Sequence, residues 1–411
     1  MFAHNVGGGA LPAPPWLLAY IGVALVVGTA AALRATWPTA RWAPVSGAAP
    51  TTDPRPGAGN LLGLLAFAGL VVAAIVGPDS AATNIAPVAV YPVWYVGLPV
   101  LCLLLGDVMR AINPFVPVVA ALERLRPGTS STSVAPAWTS AAFLAGFSWY
   151  FFAYHSPGSP RALAVLVGAY AALVIAGGLW WGRGWLAHGD AFAGLSAAAS
   201  RVGLRRPGGP APAGTGALMV VLIGTTAFDA FSGTPFWTDV RGTSQGWSRT
   251  LLDTVGVLWL TAIAAGGLLV VVRLAERRRA ERDDDPAVTT ALVPALGAAL
   301  VPLALGWFVG HDVTLVLAEG QNFYALLSDP LGRGWDLFGT LDHRIDLSIV
   351  VSSGVRWTQL VLISVGHVAT VVLVHDAALG HLRRRAAMGV TWAMAVVASA
   401  SIVATAMLVL T

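Results

Sequence analysis

The sequence predicts an all-α protein, a polytopic transmembrane helical bundle of about ten spans with the N-terminus and the C-terminus both outside. Three observations carry this. Of 411 residues 56% are hydrophobic and only 11% are charged, against about 25% charged in soluble domains. The mean hydropathy is +0.72. Apolar runs of about 20 residues, the length that crosses some 30 Å of hydrocarbon, recur along the whole chain, 1-411, which reads as a single integral membrane domain.

The spans lie near 16–33, 60–77, 87–106, 136–154, 162–181, 215–234, 251–273, 292–317, 357–375 and 388–410. The segment before the first has no basic n-region and no small-residue cleavage site, so it does not read as a signal peptide. There is no lysine; all 24 basic residues are arginine. With the N-terminus outside, eighteen arginines fall in inner connections, among them Arg34, Arg110, Arg183, Arg277 and Arg384, and six in outer ones: Arg161, Arg241, Arg249, Arg333, Arg344 and Arg356. Cytoplasmic loops accumulate Arg and Lys, so this bias sets the orientation. Tryptophans such as Trp16, Trp37, Trp180, Trp237 and Trp357 gather at span ends, where amphipathic rings anchor at the interface. Lipid is therefore the first partner of this chain, and the high pI gives no reason to infer nucleic acid.

Between spans, 111–125 and 185–202 mix apolar and polar faces and read as surface helices in the head-group region. The Pro/Gly-rich segment 205–214 and the charge-dense cytoplasmic loop 276–286 read as solvated. Asp107 and Arg110 stand at i,i+3 spacing and can pair at a span end, after which Asn113-Pro114 breaks the helix. Cys102, the one cysteine, sits in an apolar run and reads as a small core residue. It excludes an internal disulfide and any Cys-based zinc cluster.

Ionisable groups inside apolar spans are costly and mark function by default. The stretch from Trp307 to Asp376 concentrates them: His311, Asp312 and Glu319, then His367 and His375. At 1.5 Å per residue, His367 lies roughly 15 Å from the outer interface, His311 roughly 10 Å, and Asp229 roughly 8–9 Å. Two histidines and a carboxylate at similar depth form a ligand set for zinc, iron or manganese with positions left for water or substrate. The same three groups also suit a proton path, and each histidine alone suits a hydrogen-bonded packing role. His375, beside Asp376 and Arg383, reads as structural, at the cytoplasmic interface. Asp253, one turn from Arg249, reads as an interfacial ion pair.

The long outer loop 319–356 is the other unusual feature. It carries Asp329, Arg333, Asp336, Asp342, His343, Arg344 and Asp346 with Gly332, Gly334 and Gly339, and its aromatic residues argue against disorder. Either its Arg and Asp groups satisfy one another in a packed lid, or they meet a ligand, since guanidinium binds carboxylate or phosphate bidentately. No Walker loop, GxSxG elbow, HExxH or dinucleotide fingerprint is present, which argues against ATP-driven pumping within this chain.

Four blocks, NIAPVAVYPVWYVGLP (84–99), GDVMRAINPF (106–115), QNFYALLSDPLGRGWDLFGT (321–340) and GHVATVVLVHDAAL (366–379), resemble a family of polytopic prokaryotic, largely actinobacterial, membrane proteins often labelled fenitrothion hydrolase. Together they span 60 of the 411 residues. The resemblance implies a bacterial plasma-membrane protein and attack of water on a phosphotriester, for which a metal-bound hydroxide is the usual solution. On that implication His311, His367 and Asp229 hold the metal and Arg333 steadies charge on the phosphoryl oxygens. The competing readings are a proton-coupled secondary transporter or channel, favoured by Pro92 and Pro99 inside one span, and a non-enzymatic membrane subunit whose loop docks a partner.

Overall fold

The computed structural model of the chain describes residues 13–42, 54–125, 135–203, 214–280 and 286–409. Among these residues every long element is a helix. Helix α1 (Pro15–Thr36) opens on Pro15, whose fixed φ suits a first helical turn and whose missing N–H needs no partner there. Helix α2 (Ala58–Val76) starts where Asn60 accepts the Gly57 N–H at 3.0 Å. Helix α3 (Ile85–Leu105) is capped by Asn84, which accepts the Ala86 N–H at 2.9 Å and donates to Ala73 and Pro78 carbonyls. Its middle, Ala89–Gly97, is π-helical around Pro92. A proline inside a helix removes one N–H and collides with the carbonyl four residues back, and the wider turn relieves both problems.

After the Asn113-Pro114 break comes α4 (Phe115–Leu125), followed by α5 (Thr139–Phe152), α6 (Pro160–Trp181) and α7 (Ala191–Val202). Asp107 acts as an N-cap, accepting the Arg110 backbone N–H at 3.1 Å. Helix α4 has a buried face of Phe115, Val116, Val119 and Ala120, as an amphipathic helix should. The surface placement expected for 185–202 does not hold. Every residue from Ala191 to Ala199 in α7 is buried, packed on the second half of α3 and on α5. Side chains as small as Ala193, Gly194 and Ala197 let those helices close over it. Asp190 fixes its start, accepting the Phe192 and Ala193 N–H groups and the Tyr170 hydroxyl.

The remaining helices are α8 (Thr215–Ser232), α9 (Pro235–Arg241), α10 (Gly246–Ala280), α11 (Pro286–Ala298), α12 (Val301–Leu326), α13 (Ser353–His381) and α14 (Arg384–Val409). Among the described residues nine helical stretches are long and apolar enough to cross a membrane, with α11 and α12 contributing one continuous stretch from Leu292 to Leu326. The run expected as a span at 136–154 is α5, of 14 residues, or roughly 21 Å at the helical rise, short of the hydrocarbon thickness. Of the charge-dense segment 276–286, residues 276–280 end α10 and 281–285 lie outside the described residues, as do 205–213 and the first twelve positions.

The chain divides into two compact units, one drawn from 54–203 and 312–352, the other from 13–42, 214–311 and 353–409. In the second, backbone meets backbone at glycines. A Cβ on Gly306 would lie 2.6 Å from the Leu362 carbonyl oxygen, and one on Gly366 2.5 Å from that of Pro302. Helices α12 and α13 therefore touch along a line that only glycine permits. At the other end of α13, Asp376 accepts the Trp37 indole N–H at 2.9 Å and the Arg41 and Trp42 backbone N–H groups at 2.7 and 3.0 Å. His375 donates through Nε2 to the Trp37 carbonyl at 3.0 Å. This clasp fastens the chain leaving α1, the structural role the sequence indicates for His375.

Candidate functional site

Two of the expected ligands come together in the second unit. Asp229 stands in the last turn of α8 and His311 in the middle of α12, and His311 Nε2 lies 2.9 Å from Asp229 Oδ2. Their side chains are 14% and 11% exposed, His311 first. Asp312, the next residue on α12, joins them: one ligand atom from each of Asp229, His311 and Asp312 lies within 4.8 Å of the other two. Asp312 is 2% exposed. Neutral imidazole and two carboxylates carry two formal negative charges, which a divalent cation would balance, and this donor set suits zinc, iron or manganese.

His367 is not brought into this group. It is fully buried on α13, with Nδ1 2.7 Å from the Ile363 carbonyl and Nε2 3.1 Å from Ser401 Oγ. A carbonyl can only accept, so Nδ1 carries the proton and, in the neutral ring, Nε2 accepts from the serine hydroxyl. Both nitrogens are thus engaged in packing bonds, and Asp312 stands where the sequence pattern put His367.

The α8 end that carries Asp229 is held by a network that the sequence shows only in part. Ser232 Oγ donates to the Asp229 carbonyl at 2.9 Å. Arg241 Nη1 donates to the Ser232 carbonyl at 3.0 Å, and Arg241 Nε to Asp253 Oδ1 at 2.7 Å. Asp253, 1% exposed, also accepts the Trp237 indole N–H at 2.9 Å and faces Arg249 Nε at 3.5 Å. The expected Asp253–Arg249 pair is there, and Arg241 is the nearer partner. Thr234 caps α9, the short helix that carries Arg241, so the turn after α8 is fixed at both ends.

In the first unit the loop after α12 is built on backbone hydrogen bonds. Ser328 Oγ accepts the Phe338 and Thr340 N–H groups. Asp329 accepts the Arg333 and Gly334 N–H groups, both at 2.7 Å, while Asp336 accepts from Leu341 and Asp346 from Ser348. Burial pushes the Asp329 carboxyl up, yet the surrounding backbone N–H groups of Arg333, Gly334, Trp335 and Gly332 outweigh it and hold the group below its ordinary value. Gly332, at φ +64, presses on Pro78; a Cβ there would lie 2.2 Å from that ring. Among the described residues no ion pair joins Arg333 or Arg344 to a loop carboxylate, and both guanidinium groups stand on exposed residues. Asp329, Asp336 and Asp346 are spent on folding the loop, and Arg333 stands exposed.

No family model matches the chain, and neither a curated protein nor a solved structure does.

Proposed function

We propose that this multi-pass membrane protein is a metal-dependent hydrolase of the bacterial plasma membrane, in which Asp229, His311 and Asp312 hold a divalent zinc, iron or manganese ion. The observation that carries the reading is the convergence of three ligand atoms within 4.8 Å inside apolar helices. Two carboxylates side by side in such surroundings repel and are poorly solvated, and a divalent cation relieves both costs at once. A bound ion of this kind supplies an activated water at neutral pH.

The substrate class follows from the resemblance of the 321–340 and 366–379 blocks to fenitrothion hydrolase-like proteins: a small phosphotriester-like molecule, approaching from the outer side on which the arginine bias places both termini. Arg333, exposed on its loop, is assigned to the first contact with the phosphoryl oxygens. The test is elemental analysis of protein purified without chelators, wild type against Asp229→Ala, His311→Ala and Asp312→Ala. Near-stoichiometric zinc, iron or manganese that disappears in each variant, together with hydrolysis of a chromogenic phosphotriester, is expected. Metal-free wild-type protein that is otherwise folded sinks the reading.

One observation favours a second reading. The direct Asp229–His311 hydrogen bond at 2.9 Å is also how a proton relay is built, a proton balancing the charge in place of a metal. That protein shows pH-dependent uptake in proteoliposomes, abolished by His311→Ala, with no stoichiometric metal.

A further inference from the structure

Two buried polar groups stand one helical turn from the cluster, toward the N-terminal end of each helix that carries it. On α8, Thr226 precedes Asp229 by three positions; on α12, Trp307 precedes His311 by four. Both are nearly sealed from solvent, at 1% and 4% exposure, and neither Thr226 Oγ1 nor Trp307 Nε1 has a hydrogen-bond partner among the described residues. Such orphans are rare in folded proteins and call for an explanation. The neighbouring Thr225 shows the alternative that Thr226 declines, since its hydroxyl bonds back to the Val221 carbonyl at 2.8 Å, the usual resting place of a helical threonine.

Both groups lie on the faces that form the cluster. Gly306 and Gly310 abut α13, and Trp307 and His311 each follow one of these glycines, so the two side chains share the adjoining face of α12. The register of α8 against the α11–α12 stretch is pinned at two levels. Gly216 meets Gly297, where a Cβ on the latter would lie 2.8 Å from the Gly216 Cα, and Asp229 meets His311. The intervals 216 to 229 and 297 to 311 are nearly equal, so the two runs are parallel and in step, and Thr226 and Trp307 fall at the same level between those pins.

We propose that the cluster continues one turn along both helices as a binding pocket for a hydrogen-bond-accepting oxygen, held between the Trp307 indole N–H and the Thr226 hydroxyl. The indole can only donate and the hydroxyl can do either, so the ligand presents a lone pair to the first: a water in the resting protein, or the phosphoryl oxygen of a substrate. The pocket rests on the reading of the Asp229–His311 cluster as a ligand site, and it deepens that reading by naming what holds the substrate's oxygen.

The test uses full-length protein in lipid nanodiscs, with trimethyl phosphate as a neutral phosphoryl probe. The Trp307 indole N–H resonance, identified by its loss in Trp307→Phe, is followed during titration in wild type and in Thr226→Val, which keeps the shape and removes the hydroxyl. A saturable shift that weakens about three- to tenfold in Thr226→Val supports a phosphoryl occupant. A lowered melting temperature in Thr226→Val without any response to the probe supports water as the occupant. An unmoved resonance, with Thr226→Val melting at or above the wild-type temperature, overturns the proposal, because removing a true orphan is neutral or stabilising. Metal content is measured on the same samples: metal-free wild type with a responding resonance defeats the metal reading alone.

Discussion

Replacing Asp253 with alanine tests how the Asp229 end of α8 is held. Asp253 is 1% exposed and takes Arg241 Nε at 2.7 Å and the Trp237 indole at 2.9 Å. Removing one partner of a buried ion pair leaves an uncompensated charge and costs about 3–5 kcal/mol, and the stranded indole N–H pushes the cost to the upper part of that range. Arg249 gives the control. Its side chain is 45% exposed and its contact with the same carboxylate is 3.5 Å long, so Arg249→Ala should cost under about 1 kcal/mol. Unfolding by dodecyl sulfate in mixed micelles reads both. Asp253→Ala should also lower metal occupancy, because Arg241 then loses the anchor from which it holds the Ser232 carbonyl, one turn from Asp229. Equal destabilisation by the two variants, within about 1 kcal/mol, would refute the claim that the buried Arg241 pair carries the network.

His367→Ala should lose about 2–4 kcal/mol of stability through the cavity and the abandoned Ser401 hydroxyl, with metal content unchanged; metal loss on elemental analysis would return His367 to the ligand set. Gly332→Ala should destabilise the loop by more than about 1 kcal/mol, because a left-handed residue gains a Cβ that strikes Pro78, and proteolysis within 328–346 should then speed up. The depressed Asp329 carboxyl contributes stability that is present above its ordinary value of 3.8 and is lost as pH falls through its lower folded value. The Arg333 and Gly334 amide resonances should therefore hold steady from neutral pH down to that region and move only below it. A periplasm-active reporter fused after Thr411 should be active and a cytoplasm-active one silent; the reverse pattern would overturn the arginine-based orientation.

Hydropathy made the helical bundle legible because the bilayer requires length and apolarity, which a single sequence displays directly. The cluster was half legible. Depth along each span groups Asp229, His311 and His367 at similar levels, and of these only Asp229 and His311 meet, because depth carries no information on which helices are neighbours or which way a side chain points. Asp312 is visible in the sequence as an ionisable group, but adjacent helical residues point about 100° apart, and only the tertiary setting brings its carboxylate beside His311. The π-helical turn at Pro92 and the burial of α7 depend on what neighbouring helices leave open. The loop carboxylates misled for a related reason: charge pairs are visible in sequence, whereas the backbone N–H groups that occupy Asp329, Asp336 and Asp346 belong to every residue alike.

The glycine seam between α12 and α13 makes the two walls of the cluster unequal in what can disturb them. Contacts between Cα atoms and carbonyl oxygens carry no titratable group and almost no counter-ion dependence, so the seam behind His311 is itself insensitive to acidity and ionic strength. Helix α8 also has close glycine contacts at Gly216 and Gly224, but its Asp229 end is held by guanidinium, carboxylate and hydroxyl groups that do respond to both. Acidity and ionic strength therefore bear on the surroundings of the site first at the α8 end, where the polar fastenings are.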